Sequence, residues 1–169
     1  VTGAGDNAIR VGQASSSSGA VIGTIDQNTL TGSVNDGVYL GGSASGNHSL
    51  VLTGNTVSGG DDAADLSVSY GDFQFTASSN ILGTNSQGII ANVTAADLNA
   101  TIQNNTMMAN TDGSGIDLSG WWGGINAVVT NNTISTSTEY GINIYAYSGM
   151  DAAVRNNTVA NSGYRGIGL

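Results

Sequence analysis

Ala127-Val128-Val129-Thr130-Asn131-Asn132-Thr133-Ile134 is the stretch whose reading decides the fold, because near copies of it recur along the chain. It returns as Ala152-Ala153-Val154-Arg155-Asn156-Asn157-Thr158-Val159 and precedes itself as Ala100-Thr101-Ile102-Gln103-Asn104-Asn105-Thr106-Met107. Looser copies are Leu50-Val51-Leu52-Thr53-Gly54-Asn55-Thr56-Val57, Thr24-Ile25-Asp26-Gln27-Asn28-Thr29-Leu30, and the degenerate run from Phe73-Gln74-Phe75 to Asn80-Ile81. The apolar residue closing each copy falls at 30, 57, 81, 107, 134 and 159, in steps of 27, 24, 26, 27 and 25. A period of about 26 residues marks a solenoid.

A second motif keeps the same beat half a period away. Gly37-Val38-Tyr39-Leu40, Gly88-Ile89-Ile90, Gly115-Ile116-Asp117-Leu118, Gly141-Ile142-Asn143-Ile144 and Gly166-Ile167-Gly168-Leu169 form one set. Ala8-Ile9-Arg10-Val11 and Asp65-Leu66-Ser67-Val68 join it with the Gly replaced. In both motifs apolar and polar residues alternate, as a strand with one buried face requires. One such unit cannot bury its apolar face alone, whereas stacked units bury all of them in a continuous core. The expected architecture is an all-β parallel β-helix of about six coils, a single domain over residues 1–169.

Asn at the corner of each coil has a physical reason to recur. It tolerates the left-handed backbone of a sharp bend, and its amide can donate to and accept from an identical amide one coil away. The expected ladder is Asn28, Asn55, Asn105, Asn132 and Asn157, with Asn80 as a displaced member in the irregular third coil. The recurrent Gly is expected to supply the bend entering the other strand.

With their Asn-Asn-Thr-Ile/Val corners and Gly-Ile-x-Ile strands, residues 6–169 resemble the right-handed parallel β-helix superfamily, which includes pectate-lyase-like enzymes and bacterial autotransporter passengers. The resemblance implies right-handed winding. It leaves function open, since such folds serve as enzymes, adhesins and filaments.

Composition excludes more than it assigns. Twelve Asp and Glu against three Arg and no Lys give a formal charge of −9, so there is no basic face for nucleic acid. No apolar run is long enough for membrane insertion. Cys is absent, which removes thiol and disulfide chemistry. The chain is expected to be an extracellular or cell-surface module, non-enzymatic, structural or adhesive, and a piece of a longer protein or a filament subunit. Its expected partners are further coils of a parent chain or another copy stacked end to end, because the terminal strands offer uncapped edges. Glycans are a further candidate.

Several residues qualify as site candidates. Trp121 and Trp122 leave one Gly-Ile strand and Tyr145 and Tyr147 leave the next, offsets of 24 and 25 that set four rings side by side. Such a patch could stack on sugars or on a neighbouring subunit. Tyr140 and Tyr164, flanked by Glu139 and Arg165, form a smaller pair. Asp61, Asp62 and Asp65 are the weak candidate for a calcium site; a solvated acidic loop is the plainer reading, and no cofactor is otherwise expected. His48 lies in a Gly- and Ser-rich bend and reads as a surface residue, as does the serine-rich bend at 13–19. Tyr70, Phe73 and Phe75 read as filling a wider section of core. The outward column of the Gly-Ile strands reads Arg10, Tyr39, Ser67, Ile90, Asp117, Asn143 and Gly168, with one acid and no neighbouring base. That is unlike the lyase and hydrolase sites the resemblance implies; the alternative function is a carbohydrate-binding or carbohydrate-active fragment.

Overall fold

The computed structural model describes residues 1–12 and 19–169; apart from Gly19, the expected serine-rich bend lies outside them. The chain winds three parallel sheets around one core. The first sheet stacks seven strands: Ile9–Gly12, Val38–Gly42, Asp62–Tyr70, Gln87–Ala95, Ile116–Gly120, Tyr140–Ala146 and Arg165–Gly168. The second holds Ile22–Asp26, His48–Thr53, Phe73–Ser78, Leu98–Gln103, Ile125–Thr130 and Met150–Arg155. The third holds the short strands Thr29–Thr31, Thr56–Ser58, Ile81–Leu82, Thr106–Met107, Thr133–Ile134 and Thr158–Val159. Each strand pairs with its equivalent one coil away, as in Ile89↔Ile116↔Ile142 and Ile102↔Val129↔Val154. This is the parallel β-helix that the repeat demands.

The alternation holds strand by strand. Ile116 and Leu118 are buried while Asp117 between them is half-buried, and Ala127 and Val129 point inward with Val128 outside. Phe73 and Phe75 fill the core at the third coil, their rings 5.8 Å apart and stacked. Tyr70 does not join them. It ends its strand exposed, where the chain leaves the first sheet.

The Asn ladder runs through six coils without a break. Asn28, Asn55, Asn80, Asn105 and Asn132 each donate an amide proton to the Oδ1 of the next member at 2.9–3.1 Å. The backbone N–H of each donates to that same oxygen. The second amide proton goes to a backbone carbonyl, Ala77 O for Asn105 and Ile102 O for Asn132. Asn80 is in register, not displaced: its Nδ2 lies 2.9 Å from Asn105 Oδ1, although Ile81 replaces the usual Thr behind it. The two tasks expected of one Asn are divided between neighbours. The left-handed backbone belongs to the preceding residue, Gln27, Gly54, Ser79, Asn104, Asn131 and Asn156, with φ between 54° and 63°. The ladder member follows it with its amide free to stack.

The recurrent Gly serves close approach, not the bend. A Cβ on Gly88 would sit 2.1 Å from Gly115 O, and one on Gly141 would sit 2.2 Å from a Val159 methyl. Neither backbone is left-handed, so it is contact with the next coil and the third sheet that keeps these positions bare.

Candidate functional site

Four exposed rings stand on the corner where the first sheet turns toward the second. Trp121 and Trp122 directly follow strand Ile116–Gly120; Tyr145 lies near the end of the next strand, Tyr140–Ala146, and Tyr147 directly follows it. Trp122 and Tyr147 are both 70% exposed. The sheet register is 26 residues here, not 24 or 25: Gly120 pairs with Ala146, and Tyr147 N–H donates to Gly120 O. Trp121 therefore stands beside Tyr147, and Tyr145 is paired instead with Ser119, two positions back along the sheet. Trp122 N–H donates to Thr94 O, which aligns it with Ala95, and Ala95 pairs with Tyr70. Tyr70 thus joins the corner two coils from Trp122, about 9.6 Å away at the strand spacing, with only Ala95 between. Its placement at the end of a long strand was hidden because Ala63 and Ala64 disguised where that strand begins.

A groove of about 510 Å³ opens next to the rings, lined by Asp97, Asn99, Gly124, Asn126, Gly149, Met150 and Asp151 among others. Its origin lies in a short ladder of acids. Asp72 N–H donates to Asn47 Oδ1, Asp97 N–H to Asp72 Oδ1, and Gly124 N–H to Asp97 Oδ1 at 2.6 Å. The next two residues in that column are Gly124 and Gly149, so the corner loses its side chains and a trough remains. Asp97 bounds one end of it and Asp151, exposed on the next outer strand, bounds the other. No Arg lines it.

The first sheet's outer column differs from its expected composition. Tyr39 pairs with Asp65, Asp65 with Ile90, and Ile90 with Asp117. Asp65 takes the position assigned to Ser67, because Ala63-Ala64 and not Leu66 continue the apolar line from Val38 to Ile89. Two acids therefore share one column, two coils apart with Ile90 between them. Burial raises the carboxyl of each above its ordinary range, with Ser67 countering this at Asp65 and Asn143 countering it at Asp117. Beside them Arg10 lies over the Tyr39 ring at 5.2 Å and pairs with Asp6 at 3.7 Å.

The proposed calcium trio is dispersed. Asp61 is exposed, Asp65 faces out of the sheet, and Asp62 is buried; among the described residues no three acids or His converge as metal ligands. Asp62 belongs instead with Asp36, the buried residue at the same position one coil earlier. Asp62 N–H donates to Asp36 Oδ1 at 3.3 Å. Burial pushes the Asp62 carboxyl up to about 7, helped by the negative charges of Asp36, Asp61 and Asp65 and opposed by a hydrogen bond with Gln87. Sequence patterning missed this pair, since each Asp alone reads as a loop residue.

His48 is buried, not superficial. It occupies the inward column of the second sheet opposite Phe73. Val21 N–H donates to its Nδ1 at 3.1 Å, and Nε2 donates toward Ala44 O and Tyr70 O at 3.2 Å. Its role is to satisfy the bend's backbone. Tyr140 and Tyr164 meet edge to face with centroids 5.2 Å apart, and Arg165 lies over Tyr164; they cover the opposite bend.

A family model described as right handed beta helix region matches residues 5–169. No curated protein and no solved structure matches the chain.

Proposed function

The chain belongs to the right-handed β-helix family, and from that premise we propose that it is a structural and adhesive module of the cell exterior, non-enzymatic, which holds glycans on its aromatic corner. The observation that carries this reading is the exposure of Trp121, Trp122, Tyr145 and Tyr147 on two adjacent coils beside an open trough. Rings on a rigid sheet edge offer sugar faces a flat apolar surface at little entropic cost, and the amides of Asn99 and Asn126 along the trough supply donors and acceptors for hydroxyls. The Asn ladder keeps the coils, and so the ring spacing, fixed. The test is co-sedimentation with a panel of insoluble polysaccharides. A Trp121→Ala/Trp122→Ala double variant is expected to bind 10- to 100-fold more weakly, about 1.5–3 kcal/mol for two lost stacking platforms. Undiminished binding by that variant would remove the corner from the account.

A second reading draws on Asp65 and Asp117. Two coils apart in one outward column, they are separated by about 9.6 Å along the sheet, close to the 6.5–9.5 Å between the carboxyls of inverting glycosidases. With both raised by burial, one could act as acid and the other as base. This predicts release of reducing sugar from a polysaccharide, abolished by Asp117→Asn and by Asp65→Asn separately. Activity that survives either substitution excludes the pair.

A further inference from the structure

Resting on the adhesive reading above, we infer that the trough beside the aromatic corner takes a polysaccharide bearing free amino groups. Its shape is set by absence of side chains at Gly124 and Gly149, and its polar groups are carboxylates and amides: Asp97, Asn99, Asn126 and Asp151. Asp97 spends one oxygen on Gly124 N–H, and its other oxygen together with the exposed Asp151 carboxylate stays available to a ligand. Among the described residues the chain's three cations are committed elsewhere or remote. Arg10 lies over Tyr39, Arg165 lies over Tyr164, and Arg155 ends strand Met150–Arg155, four residues beyond Asp151. A uronic-acid chain would bring like charge into this trough with nothing to neutralise it. A chain with protonated amines on successive sugars finds one carboxylate at each end of the trough. Charge and shape thus single out the amino sugar from the neutral and acidic alternatives.

The experiment compares three probes by calorimetry at mildly acidic pH and low salt: a β-1,4-linked glucosamine hexamer, its fully N-acetylated form, and oligogalacturonate. The amine form is expected to bind about tenfold tighter than the acetylated form, with the margin shrinking as salt rises; oligogalacturonate is expected not to bind. Asp151→Asn should narrow the margin to about threefold without weakening the acetylated form. Gly149→Phe should abolish binding of both, and it is free to fold, since a Cβ there meets nothing within 4 Å and its backbone is not left-handed. Equal affinity for the amine and acetylated forms, or binding of oligogalacturonate, overturns the amino-sugar assignment alone. So does full binding by Gly149→Phe, which would place the sugar outside the trough. If none of the three probes binds, the glycan reading of the corner falls with it.

Discussion

Asn105→Ala is expected to cost about 3–5 kcal/mol of folding stability, although Asn105 lies far from the rings and touches no candidate ligand. Its side chain is 1% exposed and makes four hydrogen bonds: two accepted by Oδ1 from Asn80, and two donated by Nδ2, to Ala77 O and Asn132 Oδ1. Alanine removes all four bonds; Asn132 Oδ1 keeps the backbone N–H of residue 105 and Asn80 Nδ2 keeps Leu52 O, but the buried Asn80 N–H loses its partner, and each lost bond costs about 1–3 kcal/mol before relaxation. For a domain of this size the loss lowers the thermal midpoint by about 10–15 °C. The neighbouring Asn104 provides the control. It is exposed, and its φ of 56° is its contribution, so Asn104→Gly should be nearly neutral and Asn104→Ala should cost about 1 kcal/mol. Comparable melting points for Asn105→Ala and Asn104→Ala would show that the two residues do not divide bend and ladder between them.

Stability should also fall as the solution is taken from pH 4 to neutrality, the reverse of what salt-bridged acids produce. The Asp62 carboxyl titrates near 7 in the folded chain, against 3.8 when unperturbed. Between those values the folded state holds a proton that the unfolded state has released, so raising pH favours unfolding. At 1.36 kcal/mol per unit, less what solvent screening removes from a partly exposed group, the shift is worth on the order of 2 kcal/mol across the interval. Asp36, Asp65 and Asp117 are raised by burial as well and act in the same sense. Asp62 Oδ1 is buried without a hydrogen-bond partner among the described residues, so the hydrogen bond with Gln87 does not offset the burial of the ionised form. Asp62→Asn is therefore expected to stabilise the protein at neutral pH and to flatten most of the slope in urea titrations run from pH 4 to 7. A stability that rises over that range in the parent protein, or a slope unchanged by Asp62→Asn, would contradict the buried-pair description.

How much of this was readable beforehand depends on which periodicity carried it. The fold was legible because Ile134, Val159 and their equivalents repeat every 26 residues or so, and because stacked amides need an Asn at each corner. Where one coil departs from the pattern, reading by analogy slipped. Ala63-Ala64 has no Gly-Ile signature, so the motif sets the third strand of the first sheet two residues late and hides Asp65 beside Tyr39. Tyr70 reads as core filler on a different ground, its aromatic ring three residues from Phe73, whereas it closes its strand exposed. His48 and the Asp36–Asp62 pair were illegible for another reason: burial of a single polar residue has no period, and only the stacked coils reveal what covers it. The exposed rings were legible as a set, but their pairing depended on a register of 26 that residue counting from the motif could not resolve.

Trp121 and Trp122 are the two tryptophans of the chain, so fluorescence excited beyond the absorption of tyrosine reports on the proposed adhesive corner and on no other part of the molecule. The most direct test is therefore quenching of that fluorescence by acrylamide, with and without a saturating polysaccharide that co-sediments with the protein. If the corner is the adhesive surface, bound sugar covers both indoles, shifts their emission to shorter wavelength and sharply reduces quencher access. Undiminished quenching and unshifted emission while the polysaccharide is bound would mean that adhesion takes place elsewhere on the helix.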